Sequence, residues 1–435
     1  MHNSIEKFKS IFPDKHSLIV SLHSKSISHA LEWAEIAITN WAHWVAVVTH
    51  EIAPVVWLEA IRQIKEKYPH HQAILNILQQ RPKIIFQVMK NLEQILPDGI
   101  WADNARIPGI DYIESWYEKD ADDVLNIQEE MWWDGLYFWG LDFKGQKELD
   151  FTWAEYAVSQ AKQYVDIITT SWKWTGISAD VEKVKRIKEL AWNYPVGLAS
   201  WISAENIANY IKNTDISIVA TNISKNYNDL DPSKVLELAN IIYVYNKKMA
   251  RKKFERDTLT KYNVESVTEL DSYIRDNWII NIWWRPESPE IERQLSNLYP
   301  SPFTLDGVEY ASVEAFRMYI KYPEEYLDRE NIKTLSGLKA KLSWNDAKFI
   351  KSFIYQWNEI VMWSDQHHAL LKRAIKAKLE QNPDILQALL NTGDRLLIHI
   401  VFTKDRQFLL ADSKTIPWEK FAQIYTELRD EFRNK

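Results

Sequence analysis

The sequence has no cysteine in its 435 residues. That excludes disulfides, thiol catalysis and cysteine-ligated zinc, and it leads us to expect a cytoplasmic protein. No stretch approaches the roughly 18 uncharged apolar residues of a transmembrane helix, and no secretory signal is expected. There is no surplus of positive charge. The 53 Lys and Arg face 60 Asp and Glu, and the pI is near 5.9, which argues against a general nucleic-acid binder. No His-Glu-x-x-His motif occurs. His367 and His368 are adjacent, as are His70 and His71, and helical neighbours point about 100° apart, so neither pair makes a metal site. We expect no metal and no cofactor.

Glycine is nearly as scarce. There are only 10, against 21 tryptophans. The two together come to about the 7% that glycine alone usually takes. Several Trp also stand where the backbone calls for glycine. Trp172 and Trp174 in TSWKWTGIS, and Trp201 in ASWIS, follow apolar runs at places where a phosphate-cradling loop needs residues without Cβ. NWAHWVAVV (40–48), EMWWDGLYFWG (130–140) and LAWNYPVGL (190–198) put Trp at helix ends and tight turns. The tandem pairs Trp132–Trp133 and Trp283–Trp284 would be costly apolar exposure at turns. We therefore expect many of these Trp to be Gly in the protein as its host makes it, through a reassigned stop codon. Trp101 and Trp116 have no evident glycine role.

What is abundant is alternation. Short runs rich in Val, Ile and Leu recur at 17–23, 44–50, 72–78, 98–104, 134–140, 165–171, 195–200 and 216–221. Such continuous runs suit strands buried on both faces of a parallel sheet. Amphipathic stretches separate them, as at 28–40 and 181–191. Eight strand–helix units over some 230 residues predict an α/β fold, a (β/α)8 TIM barrel over 1–246. Residues 247–276, with the charged run KKMARKKFERD beginning at 247, read as a helical linker. Residues 277–435 read as a smaller, helix-rich α+β domain, with helices expected at 312–321, 364–380, 383–391 and 417–433.

In such barrels the active site lies at the C-terminal ends of the strands. This placement nominates His23, His50, Glu51, Asn76, Asp103, Asn104, Lys144, Lys173, Ser200 and Asn222. With glycine restored, 170–178 reads TSGKGTGIS and is followed by the helix DVEKVKRIKE, ASGIS and ATNIS. This pattern resembles the phosphate-binding barrels, most of all the BtpA-like family. The resemblance covers strands six to eight and implies a phosphorylated ligand held by Lys173, Thr175, Gly176, Ser200, Thr221 and Asn222, with His23, Asp103 and Asn104 lining the mouth.

The run RQLSNLYPSPFTLDGVEYASVEAF (293–316) resembles the entry motif of the NADAR (YbiA-like) family. SGLKAKL (336–342), the segment HHALLKRAIKAKLEQNPDILQALLNTGDRLLIH (367–399) and the closing helix extend the resemblance over about 279–433. It implies cleavage of an N-glycosidic bond to ribose. That chemistry passes through an oxocarbenium-like cation, which an aligned carboxylate stabilises. Glu314 is then the catalytic candidate, Asn297 orients the ribose hydroxyls, and Asp394 holds a second catalytic position. Arg293 and Lys341 would neutralise phosphate, beside Ser296.

Together these readings predict an N-glycosidase acting on a phosphoribosyl or ADP-ribosyl compound, fused to a barrel that binds a phosphorylated ligand. The expected partner is a small phosphorylated ribose or nucleotide, not a membrane or nucleic acid. Two alternatives stand beside it. One is sugar-phosphate isomerase, aldolase or transferase chemistry in the barrel. The other is a nucleotide-sugar binding protein without turnover.

Overall fold

A computed structural model describes residues 4–49, 54–78, 80–92, 96–107, 120–143, 151–172, 177–226, 229–322, 329–343, 352–402, 408 and 418–434. The chain divides into two compact units, Met1–Met249 and Ala250–Lys435. The division falls inside one continuous helix, Pro232–Tyr262. The segment expected as a linker is the second half of that helix followed by a second helix, Val267–Asp276, capped by Ser266.

In the first unit, eight parallel strands close into a barrel in sequence order. They are β1 (Ser17–Leu22), β2 (Trp44–Thr49), β3 (Gln72–Ile77), β4 (Gly99–Ala102), β5 (Leu136–Gly140), β6 (Ile167–Thr170), β7 (Val196–Leu198) and β8 (Ile216–Val219). Each falls within one of the apolar runs. Closure comes from β1 against β8, with Ser17 opposite Ile216 and Val20 opposite Val219.

Side chains alternate with period two along each strand. Ile19, Ile74, Trp101, Phe138, Ile167 and Ile218 share the barrel interior. Leu18, Val20, Val45, Leu75 and Val196 belong to the larger core shared with the helices. Phe8 and Phe12, in and just after the first helix, Ser4–Ile11, join the interior cluster. Phe12 stacks on Trp44 at the start of β2, with centroids 4.5 Å apart. The first helix thus plugs the N-terminal end of the barrel.

A repeated stitch holds that end. Asp98, Asp166 and Asp215 each sit just before a strand. Each carboxylate accepts a backbone N–H from the first two residues of the neighbouring strand, from Ala73, Tyr137 and Val196, at 2.8, 2.9 and 2.9 Å. Each also pairs with a lysine: Lys65, Lys7 and Lys188. This face of a barrel serves stability, and the three aspartates supply it by tying strand to strand.

Among its described residues the second unit has three small sheets. Phe303–Leu305 pairs antiparallel with Val308–Tyr310, and Ser352–Tyr355 with Asn358–Val361. Ile280–Asn281 pairs parallel with Leu397–Ile398. The helices Val313–Tyr319, Asp365–Gln381, Pro383–Asn391 and Trp418–Arg433 lie close to their expected positions. They enclose a core of Phe303, Tyr310, Phe316, Leu371, Ile375, Phe421 and Tyr425. Among the described residues no helix is long and apolar enough to cross a membrane.

Candidate functional site

The C-terminal mouth of the barrel holds a cavity of about 290 Å³. Its polar wall is Ser21, His23, Ser171, Ser200, Thr221, Asn222 and Ser224, and its apolar wall includes Trp33, Trp101, Phe143, Trp172, Trp201 and Ile218. Four of the residues nominated from the sequence, His23, Ser200, Thr221 and Asn222, therefore meet in one place.

The loops after β6 and β7 make a joint wall. The Ser200 hydroxyl donates to the Ile177 carbonyl at 3.0 Å, and Asn206 donates to Ser178 Oγ at 3.0 Å and to the Trp201 carbonyl at 2.7 Å. Thr221 and Asn222 open a 3-10 turn directly after β8. Beneath the β6 loop lies a lysine that strand-end placement does not reveal. Lys183 is buried on the helix Val181–Ala191, and its ammonium donates to the carbonyls of Ser171 at 2.7 Å and Asp142 at 2.6 Å. It fixes the course of the backbone where the cavity wall begins. Lys183 sits in the quoted helix DVEKVKRIKE and Asn206 lies three residues past ASWIS, but neither lies at a strand end.

Asn76, Asp103 and Asn104 do not line the cavity. Asn76 is buried and donates to the Trp101 carbonyl at 3.1 Å and to Asp103 at 3.4 Å. Asn104 accepts the backbone N–H of Arg106 at 2.8 Å. These are contacts that hold the β3 and β4 ends. His50, Glu51, Lys144, Lys173, Thr175 and Gly176 lie outside the described residues.

In the second unit the Ser-Asn and Ser-Val-Glu segments meet. Ser312 caps the helix Val313–Tyr319, accepting the Ala315 N–H at 3.1 Å. The Glu314 N–H donates to the Asn297 carbonyl at 3.0 Å. Glu314 is buried, and its carboxylate takes a hydrogen bond from Arg317 at 2.6 Å, one turn on. Asn297 is buried too, and its Oδ1 has no hydrogen-bond partner.

Two buried groups that sequence reasoning missed frame this pair. Lys378 donates to the carbonyls of Gln294 and Ser296 at 2.7 and 3.0 Å, so it pins the backbone leading into Asn297. Burial pushes its pKa down to about 7. His367 accepts the Trp363 N–H at Nδ1, at 3.0 Å, which places its proton on Nε2. That Nε2 is buried without a partner. Burial, reinforced by the charges of Arg317 and Lys321, pushes the His367 pKa down to about 3. The ring is neutral, so its Nε2–H is an uncharged buried donor. Both interrupt the apolar face of the helix Asp365–Gln381, His367 beside Leu370 and Leu371 and Lys378 beside Ala374 and Ile375, and that interruption is the signal the sequence carries for them.

The remaining expected residues are spread. Ser296 accepts the Leu298 N–H at its hydroxyl. Arg293 is half-buried, with its Nε unpartnered. Lys341 is exposed, and its charge reaches His399, as does that of Arg317. Asp394 does not belong to this cluster. Its side chain is 98% exposed and pairs with Arg433 at 2.7 Å. A carboxylate in water, held by a surface arginine, has neither the desolvation nor the aim that the chemistry requires. Among the described residues no three His, Asp or Glu side chains group as a metal site.

Residues 291–418 match the model of a family described as bacteriophage protein GP30.3. No curated protein matches the chain. Solved structures similar to it include phosphoribosyl anthranilate isomerase from Thermus thermophilus, with TM-score 0.38, 16% identity and coverage of 53% of this chain and 99% of that one. Orotidine 5'-monophosphate decarboxylase from Methanocaldococcus jannaschii gives 0.39, 17%, 52% and 99%. (S)-3-O-geranylgeranylglyceryl phosphate synthase from Thermoplasma acidophilum gives 0.40, 14%, 56% and 98%. At these TM-scores the likenesses carry no weight for activity.

Proposed function

We propose that the second unit cleaves the N-glycosidic bond of a phosphoribosyl or ADP-ribosyl compound, and that the barrel mouth binds a small phosphorylated molecule. The observation that carries this reading is the Glu314–Arg317 pair. It is buried, tied through the Glu314 N–H to Asn297, and flanked by the unpartnered Asn297 Oδ1 and His367 Nε2. The resemblance of 293–316 to the NADAR family falls on the same residues.

In this reading the C1′–N bond breaks and its electron pair leaves with the nitrogen. The Glu314 carboxylate faces the cation that develops at C1′ and takes a proton from the incoming water. The water oxygen bonds to C1′, and the proton Glu314 took passes through solvent to the departing nitrogen, giving free base and ribose hydroxyl with the carboxylate restored. Arg317 holds the carboxylate in place, while Asn297 Oδ1 accepts from a ribose hydroxyl. In the barrel, the Thr221 hydroxyl and the Asn222 amide, both on the cavity wall, supply uncharged donors to a phosphate ester.

The test is release of base, followed by chromatography, from ADP-ribosyl and phosphoribosyl compounds. Glu314→Gln keeps the shape and lowers turnover by about 10²–10⁴-fold, with an unchanged circular dichroism spectrum. Release by the variant at the wild-type rate would remove Glu314 from the reaction. The cavity favours one second reading, chemistry in the barrel itself. It predicts that His23→Ala abolishes turnover while Glu314→Gln does not.

A further inference from the structure

The backbone sorts the tryptophans into two groups. Among the described residues eleven non-glycine positions have positive φ, and six of them are tryptophan: Trp41, Trp132, Trp192, Trp278, Trp357 and Trp363. Bulky aromatic residues are genuine outliers there, because Cβ crowds the following carbonyl. The others are Asp, Asn, Arg and Gln, and Asn and Asp tolerate this region best.

Each of the six occupies a place with its own glycine requirement. Three end helices in the same way. Ala42 donates to the Ala37 carbonyl, Trp133 to Gln128 and Ile279 to Ile274, at 3.0, 3.1 and 3.0 Å. The preceding residues, Trp41, Trp132 and Trp278, donate to Ile38, Glu129 and Arg275. This two-bond pattern puts its middle residue in the left-handed region, where glycine or asparagine is usual. The helix Pro232–Tyr262 ends with the same two bonds, and there the residue is Asn263.

Trp192 has φ 60° and ψ −116°, a combination that glycine alone enters readily. Tyr194 donates to Ala191 across it at 3.0 Å, which makes Trp192 the first central residue of a type II′ turn.

The two hairpins of the second unit give a direct pair. Both have two-residue loops with positive φ at both positions, as a type I′ turn requires. One loop is Asp306–Gly307 and the other Gln356–Trp357. Trp363 is the third residue of a turn closed by Ser364 N–H to Val361, again with positive φ. Trp132 and Trp357 are 92% and 95% exposed, so no packing repays the strain.

Trp101 and Trp133 differ on every count. Both are buried, neither has positive φ, and their indole N–H groups donate to Thr169 Oγ1 at 3.1 Å and to the Pro97 carbonyl at 3.0 Å. Trp172, Trp201, Trp283 and Trp284, singled out from the sequence, are not among the positive-φ residues either, and Trp174 lies outside the described residues. The Arg285 guanidinium lies 3.2 Å over the Trp283 ring. The backbone therefore keeps Trp41, Trp132 and Trp192 from the helix-end motifs, leaves out the tryptophans of the expected phosphate loops that are described, and adds Trp278, Trp357 and Trp363.

We infer that residues 41, 132, 192, 278, 357 and 363 are glycine in the protein its host makes, inserted at UGA codons by a tRNA charged with glycine, while Trp101 and Trp133 are true tryptophan. This is independent of the proposed function. The test is a peptide mass map of the full chain isolated from its own host, read beside the codons of its gene. Glycine masses at the six positions and tryptophan at 101 and 133, with UGA and UGG codons respectively, are expected. Tryptophan masses at the six, or UGG codons there, would overturn the inference. A second arm uses recombinant chains. Trp192→Gly and Trp357→Gly are each expected to raise the unfolding temperature by roughly 2 °C or more. A fall in that temperature counts against the inference.

Discussion

Lys378 offers the sharpest test of the energetics. It is completely buried on the helix Asp365–Gln381, and desolvation lowers its pKa from 10.5 to about 7. Folded, it gives up its proton near pH 7; unfolded, it keeps the proton to about 10.4. Between those values the unfolded chain binds more protons, so stability rises with pH, by up to about 1.4 kcal/mol per unit. From about pH 6 to pH 9 the gain is roughly 3 kcal/mol. Lys378→Met keeps the length of the side chain and removes the titration. It also strips the buried carbonyls of Gln294 and Ser296 of a donor, a loss of about 1–3 kcal/mol. The variant is therefore clearly weaker than wild type at pH 9. At pH 6, where wild type must bury a charge, the gap narrows by roughly 3 kcal/mol. The assay is urea unfolding of the full chain at both pH values, following the transition that the substitution moves. Curves for the two proteins that stay parallel from pH 6 to 9 would refute the reasoning.

Other outcomes follow from the barrel. His16 is buried, donating from Nδ1 to the Thr214 carbonyl and accepting at Nε2 from Ser217, both at 2.9 Å, and burial lowers its pKa to about 4. Its contribution is complete above about pH 6.5 and lost as the pH falls toward 4, roughly 3 kcal/mol in all. His16→Gln should flatten that stretch of a pH–stability curve. Asp215→Ala leaves the Val196 N–H and the Lys188 ammonium without their carboxylate. It should lower barrel stability by about 3 kcal/mol in denaturant titration, more than removal of an exposed pair such as Lys90–Glu130.

The barrel is legible in the sequence because burial on both faces leaves an uninterrupted apolar run at every strand. Helix ends are legible where a cap is present, as at Asp180 and Ser312. The hairpin Ser352–Val361 is hidden, because Gln356–Trp357 carries no turn signal. Its partner Phe303–Tyr310 announces itself through Asp306–Gly307. At the barrel mouth, strand-end position finds His23, Ser200 and Asn222, and the likeness of ATNIS to a phosphate loop adds Thr221. Strand-end position cannot find Lys183 or Lys378, because both lie inside helices, away from any strand end. Asp394 shows the converse. A Thr-Gly-Asp turn fits a motif, yet its carboxylate faces water.

One contact bears on how the molecule is made. The His16 N–H donates to Asn246 Oδ1, Asn246 Nδ2 donates back to the His16 carbonyl, and 230 residues separate them. The ring of strands cannot be sealed until β8, Ile216–Val219, has been made. Until then β1 keeps an open edge, since its pairing with β8 joins Ser17 to Ile216, 199 residues apart. Such long-range closure is slow and exposed to aggregation. The nascent first half is therefore where a chaperone would engage this chain, before any of the second unit has emerged.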